Sequence, residues 1–212
     1  EPLIYAGISA TGNDLVTILS FEILGMDVKP ILGYEGRGPS RVAFEQGESN
    51  IDYQTVSAYY KNVQPIIDAG NAIPLYSLGM LDENGDVIRD PAFPDLPSVK
   101  EVYKEIHGQD PSGIQWEAYK VFLGAGFSVQ KVLWLHSDSP QEAVDALVKA
   151  SEGIAKDEEF KQRAGEELGG YDLIIGSALE GAINTITSAS DEVLEWTYIY
   201  LEQELGVQRL QN

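Results

Sequence analysis

The chain has 212 residues, enough for one large domain or two small lobes. Its 14 Lys and Arg against 34 Asp and Glu leave a formal net charge of −20, a field that repels phosphate backbones and anionic lipid headgroups. A hydrophobic content of 43% can fill a core, and the absence of Cys removes disulfides, thiolate catalysis and cysteine-ligated metals together.

Nucleic acid is therefore not an expected partner. Direct membrane insertion is not expected either, because no apolar stretch approaches the roughly 20 residues that span a bilayer. The charge also repels an anionic ligand at long range, so an acid-binding site would have to rest on local amides and hydroxyls. The chain opens on a strand-like run, Glu1-Pro2-Leu3-Ile4-Tyr5, with neither Met nor a signal peptide, which reads as a processed or trimmed start.

Leu3 to Ala6 is a predicted buried strand. The turn Gly7 to Asp14 follows, then a helix carrying Leu15, Ile18, Leu19 and Ile23 and closed by Gly25. Lys29 to Leu32 is the second strand. A second glycine-rich turn, Gly33 to Gly38, leads to Pro39 at a first helical position and a helix over Ser40 to Gln46 that ends at Gly47. A strand near Ile51 and Tyr53, a helix around Ala58 to Ala69 and a strand from Ile73 to Leu78 continue the rhythm. Strand, glycine turn, helix, strand is the pattern of a parallel-type sheet with crossover helices.

Asp82 to Asp86 is a turn, and Asp90 to Pro97 a proline-stiffened surface loop. Ser98 and Glu101 form a capping box, and another helix covers Ser112 to Leu123. Phe127 to Leu135 reads as a strand. Ser139 and Glu142 form a second capping box around Pro140, opening a helix to about Lys156. Asp157 caps a short helix ending before Gly169-Gly170, Asp172 to Ile175 is a small strand, Ser177 and Glu180 make a third capping box, and the last helix begins near Ser190. From Ser139 onward the chain is mostly helical. The expected division is an α/β ligand-binding lobe over 1–125 and a returning strand with C-terminal helices over 126–212.

Two turns share one design: each joins the carboxyl end of a strand to a helix start, where ligands collect in open α/β sheets. Helix N-termini there offer unpaired N–H groups and the positive end of the dipole, which suits an anion. In the first turn Ser9, Thr11 and Asn13 can add side-chain donors, and Gly12 admits a ligand to the backbone. In the second, Gly36 and Gly38 play that part, with Ser40 in the first helical turn. Thr55 and Ser57, after the third strand, form a third wall. Small polar residues at such turns often only cap the helix. Arg37, the single cation in these loops, either clamps a carboxylate bidentately or pairs in solvent with Glu35 or Glu48.

Enzymatic signatures are thin. His107 and His136 stand apart without a metal-ligand pattern, so no metal is expected. There is no Gly-x-Ser-x-Gly elbow, no Walker lysine after either glycine turn, and no dinucleotide fingerprint, since Arg41 stands at its third glycine. Asp82-x-Asn84-x-Asp86 imitates a calcium loop, yet Val87 and Phe93 occupy its glycine and glutamate positions. Neither a catalytic residue nor a cofactor is expected.

Read in order, several segments resemble the substrate-binding proteins of tripartite tricarboxylate transporters, the TctC or Bug family. They are the strand with its Gly7 to Asp14 turn, and Gly33-Tyr34-Glu35-Gly36 before a helix ending Phe44-Glu45-Gln46-Gly47-Glu48. Pro94-Asp95-Leu96-Pro97-Ser98-Val99-Lys100-Glu101 is similar to the family's P-D-x-P-T-x-x-E, and Lys156-Asp157-Glu158-Glu159-Phe160 to its K-D-P-E-F. The chain departs from the family at Gln46, where Arg is usual, and at His136 to Pro140, where the family has P-P-G-V-P. The family's opening segment, which builds much of the other lobe, has no counterpart before Glu1.

The resemblance implies a periplasmic-binding-protein-like (Venus-flytrap) lobe followed by a mostly helical C-terminal segment. It implies a periplasmic receptor, without catalysis, that takes a small carboxylate and delivers it to membrane permease subunits. Two alternatives stand beside it: a nucleotide-using α/β enzyme, and a protein interaction module in which the exposed face of the helical second half binds a partner or self-associates.

Overall fold

Asp14 opens the most deeply buried element of the chain. In a computed structural model, which describes residues 2–82, 84–128, 132–168, 171 and 173–209, strand β1 (Leu3–Gly7) runs into helix α1 (Asp14–Ile23). All but one of the ten residues of α1 are buried. Apolar residues cover most of its circumference, so it has no solvent face and forms the axis of the core. It stops at Leu24, and Gly25 takes the left-handed conformation that a C-terminal cap requires.

β2 (Val28–Leu32) pairs with β1 in parallel, Leu3 opposite Val28 through Gly7 opposite Leu32. Ile51 adds one parallel bridge to Tyr5 on β1. α2 (Arg37–Glu45) follows β2 and ends before left-handed Gly47. The predicted helix over 58–69 is divided into α3 (Val56–Ala58), a π-helical turn (Tyr59–Val63) and α4 (Gln64–Asp68). Pro65 has no N–H to donate to the carbonyl four residues back, and the widened turn precedes it.

β3 (Met80–Leu81) and β4 (Val87–Ile88) form a two-residue hairpin around the Asp82 turn. α5 (Val99–His107) begins with the predicted capping box of Ser98 and Glu101. α6 (Ile114–Leu123) runs on into a π-helical turn, Gly124–Ser128. α7 (Gln141–Ala155), α8 (Glu158–Leu168), α9 (Ser177–Thr187) and α10 (Asp191–Leu205) complete the helical second half.

The fold is thus mixed α/β, about half helix, with a small parallel sheet. The large crossover sheet expected of a Venus-flytrap lobe is not displayed, because four predicted strands, the one near Ile51 and Tyr53 among them, find no ladder among the described residues. Ile73 to Leu78 makes only one bridge, Ser77 to Ser98; Pro74 cannot donate, and Ile73 and Leu75 lie 81% and 57% exposed. Phe127 joins the π-helical turn and packs edge-on to Tyr53 at 6.0 Å, so tertiary packing overrides β propensity there. Residues 129–131 of that predicted strand lie outside the described residues, and 132–135 have no regular structure. Asp172 also lies outside them, and 173–175 form no strand.

Two capping boxes were misplaced. α7 starts at Gln141 after Pro140, with no side-chain cap, and α9 starts at Ser177 behind Gly176. Asp157 and Ser190 do cap α8 and α10, accepting from Phe160 N at 2.7 Å and Val193 N at 3.2 Å.

The main core joins both halves of the chain. Leu15, Val16, Leu19 and Ile23 of α1 pack with Trp116, Tyr119 and Leu123 of α6 and with Leu201 of α10. A second cluster, Tyr5, Ile18 and Phe21, seats the parallel pair on the other flank of α1. Among the described residues no helix is long and apolar enough to cross a membrane. Positions at the carboxyl ends of β1 and β2 are therefore held by a buried helix on one side and by Tyr53 with Phe127 on the other.

Candidate functional site

The two glycine-rich turns meet. Gly33 N donates to Ile8 O and Tyr34 N to Gly7 O, both at 3.1 Å, which ties the β2–α2 loop to the β1–α1 loop. The first turns of α1 and α2 consequently lie side by side, as consecutive units of a parallel sheet require.

The loop between β1 and α1 is already occupied by a carboxylate, and it is the protein's own, although no side chain caps α1 itself. Asp14 is 2% exposed and accepts from Ile8 N at 3.0 Å and Ser9 N at 3.1 Å. It also accepts from the Tyr5 hydroxyl and from Nη2 of Arg37. Four donors saturate a carboxylate, so Asp14 has no capacity left for a ligand proton or a metal. Arg37 pairs with neither Glu35 nor Glu48. Its Nη1 donates to the Tyr5 hydroxyl at 2.9 Å and to Tyr53 O at 3.4 Å, and its guanidinium lies 5.2 Å from the Tyr53 ring centroid. Burial alone would lower the Arg37 pKa, but Tyr5 and Asp14 more than offset it and the net shift is upward. Burial holds the Tyr5 and Tyr53 hydroxyls above the ordinary tyrosine range.

The start of α2 differs in its first-turn charge and not in its capping. Gly36 is its N-cap, no side chain caps it, and its first turn carries no acidic residue. Pro39 lacks an N–H, so Arg37 N–H and Gly38 N–H are the donors this turn can offer a ligand. A Cβ at Gly38 would meet nothing within 4 Å, so approach is open.

The remaining expected site residues divide. Ser9 is half-buried and gives its amide to Asp14; its hydroxyl lies 3.2 Å from that of Thr11, which is exposed. Gly12 is exposed, and its amide donates to Ser9 O at 3.3 Å; a Cβ there meets Ser9 O only at 3.8 Å, so no steric need for glycine exists. Asn13 caps nothing, and its Oδ1 would be 3.2 Å from a Cβ on Gly126. Ser40 is buried and donates to Gly36 O at 3.0 Å, turning its hydroxyl onto its own helix and away from the crevice. Thr55 is the N-cap of α3 without a side-chain cap, and Ser57 is half-buried within it.

Asp52 and Gln54 are not among the site residues expected from the sequence, where Asp52 or Asn50 stands only for the family's Asp. Gln54 Nε2 donates to both oxygens of Asp52, at 3.2 and 2.9 Å, and to the carbonyl of Arg37 at 3.0 Å. One amide thus links a carboxylate to the first residue of α2. Burial pushes the Asp52 carboxyl up to about 6, although Gln54, Arg37, the Tyr53 amide and Arg41 pull the other way. Gln54 Oε1 and the Tyr53 hydroxyl are buried without a partner in the structure. Tyr5, Asp14 and Gly7 were missed too. A Cβ on Gly7 would lie 2.6 Å from Leu32 Cδ2 and 3.0 Å from Asp14 Oδ1, so the close approach of backbone to carboxylate needs glycine. The available signal was an acidic residue in the first turn of a largely apolar helix, with Arg37 as the one cation in the two glycine-rich loops to neutralise it.

Among the described residues no group of three or more His, Cys, Asp or Glu is placed to hold a metal ion. His107 packs against the Tyr103 ring at 4.3 Å, and His136 lies on the surface accepting from Asp138 N at 3.2 Å. Comparison with protein-family models, curated proteins and solved structures finds no match to this chain.

Proposed function

We propose that the chain captures a small organic anion, of the di- or tricarboxylate type, at the open first turn of α2, and does so without chemical conversion. The observation that supports this most directly is the contrast between the two adjacent helix starts. The loop before α1 holds the carboxylate of Asp14 by the Ile8 and Ser9 amides and Arg37, whereas α2, equally without a capping side chain, has no acidic residue in its first turn. Ser9 and Thr11 border the crevice with exposed hydroxyl character, and Gly36 and Gly38 leave room for the ligand. Ser40 contributes by orientation of the helix and not by contact.

In this reading the chain supplies one wall of a two-lobed Venus-flytrap receptor. It acts outside the cytoplasm, in the periplasm, and hands its ligand to permease subunits of a tripartite tricarboxylate-type transporter. Its charge of −20 fits a receptor that holds an anion by local dipoles alone, because nothing at long range attracts one.

The test is a calorimetric and thermal-shift panel of succinate, malate, citrate, tricarballylate and aromatic monocarboxylates against the intact chain. A stabilising acid is the expected result, and it should be lost in Gly36→Asp, which places a carboxylate of the protein's own on the α2 amides. A panel without any binder sinks the reading. A bound nucleotide in mass spectra of the purified protein would favour the nucleotide-enzyme alternative instead.

A further inference from the structure

One side chain joins the first turn of α2 to a carboxylate that no cation claims. Asp52 is half-buried, and both of its oxygens accept from Gln54 Nε2. The same nitrogen donates to the Arg37 carbonyl at 3.0 Å. Two hydrogen bonds of ordinary length through one nitrogen keep the carboxylate within about 6 Å of that carbonyl oxygen. The Arg37 carbonyl shares its peptide group with the Gly38 N–H, which is one of the two donors that α2 offers a ligand.

The charged groups that face Asp52 are Arg37 and Arg41, both on α2, and each is paired elsewhere. Arg37 pairs with Asp14, and Arg41 Nε lies 3.3 Å from Glu45. From β1, bridged to this segment at Ile51, Tyr5 gives its hydroxyl to Asp14. α3 carries no ionisable side chain, and Glu48 is exposed to solvent. Asp52 is thus held by amides alone, those of Gln54 and of the Tyr53 backbone. Burial without a paired cation favours the neutral carboxyl, and it brings the midpoint to about 6. Oε1 of Gln54 is buried without a partner, an acceptor at hand beside the group that takes up the proton.

We propose that Asp52, tied to α2 through Gln54, makes anion capture proton-dependent: its ionised carboxylate opposes an anion at the Gly38 amide, and its neutral form admits one. The proposal rests on the capture reading above and adds its regulation. With Asp52 ionised, a negative charge stands beside the amides that an incoming anion needs. With Asp52 protonated, Arg37 and Arg41 face the same turn with one carboxylate fewer. At this separation, and at an effective dielectric constant of about 20, one charge alters the affinity for a carboxylate by about tenfold or more.

Two measurements on the whole chain test this. The first needs no ligand: the Gly38 amide resonance is followed by NMR from about pH 5 to about pH 8. It is expected to titrate near 6 in the parent and to stay flat in Asp52→Asn. Glu35→Gln, which removes an exposed charge just before the N-cap, should leave the titration in place. The second is calorimetry with fumarate and benzoate, whose carboxyls stay ionised over this range. The parent should bind about tenfold tighter at about pH 5.5 than at about pH 7.5, and Asp52→Asn tightly at both. A Gly38 titration, or a pH dependence of affinity, that survives Asp52→Asn overturns the proposal. Failure of both acids to bind parent or variant at either pH defeats it through the reading beneath it. A Gly38 resonance that still titrates then marks the failure as one of capture and not of the proton coupling.

Discussion

The carboxylate of Asp14 and the guanidinium of Arg37, 2% and 16% exposed, form an ion pair that locks the first turn of α1 to the first turn of α2. Removing one partner of such a pair leaves a buried charge uncompensated, at a cost of about 3–5 kcal/mol. Asp14→Asn and Arg37→Met are each expected to lose that much in urea denaturation. The double variant should lose much less than the sum, because each change removes the charge that the other strands. Additive losses would show that the two residues act separately.

Asp52 gives a pH dependence of unusual sign for a carboxylate. Its folded-state pKa, about 6, lies above the ordinary 3.8, so the folded protein binds its proton more tightly than the unfolded chain does. Stability from this group is therefore full below about pH 4 and is lost as pH rises through 6, by on the order of 2–3 kcal/mol. Asp52→Asn should be close to neutral at pH 4 and stabilising at pH 8 in chemical denaturation. A variant equally destabilised at both values would refute the assignment.

Glu101 works in the opposite direction. It accepts from Arg89 and from Ser98, and Arg89 followed by the Ser98 amide hold its carboxyl down at about 2. Stability from this box is present above about pH 4.5 and fades as pH falls towards 2. Ser98→Ala is expected to cost roughly 1 kcal/mol at pH 7 by loss of the cap. The cost should shrink in acid, measured as the gap between the two denaturation curves at pH 7 and pH 2.5.

Gly36→Asp provides a stability readout independent of any ligand. An aspartate at an uncapped helix start is worth roughly 1 kcal/mol, through its hydrogen bond and the helix dipole together. The variant should melt higher than the parent while losing anion affinity. A lower melting temperature would show that the first turn of α2 is not free to receive a carboxylate.

Capture should also respond to salt in a recognisable way. A net charge of −20 slows the approach of a dicarboxylate, and salt relieves this by screening the repulsion beyond a Debye length of about 10 Å at 0.1 M. Stopped-flow association rates are expected to rise between 10 and 150 mM salt, as order-of-magnitude working conditions. A falling rate would indicate a cationic path into the site that the charge distribution does not provide.

Most helix boundaries are legible in the sequence where the deciding interaction is local. The Ser98–Glu101 box, the Asp157 and Ser190 caps, and the left-handed glycines at 25 and 47 all act within a few residues. The two loops that meet at the carboxyl ends of β1 and β2 are legible too. The sequence misleads where a run of β-prone residues has to find a distant partner, as at Ile73–Leu78 and Phe127–Leu135, because a strand is stable only in a ladder.

Composition, charge and the glycine turns by themselves determined that this is a strongly acidic α/β chain whose two glycine-rich turns each lead into a helix start. Only the tertiary structure decided which of the two loops already holds a carboxylate. Asp14 and Arg37 lie 23 residues apart, and the interior dielectric makes their pairing far stronger than any solvated partnership with Glu35 or Glu48. That pairing fills the loop before α1 with the protein's own carboxylate, an outcome set by burial and not by spacing along the chain.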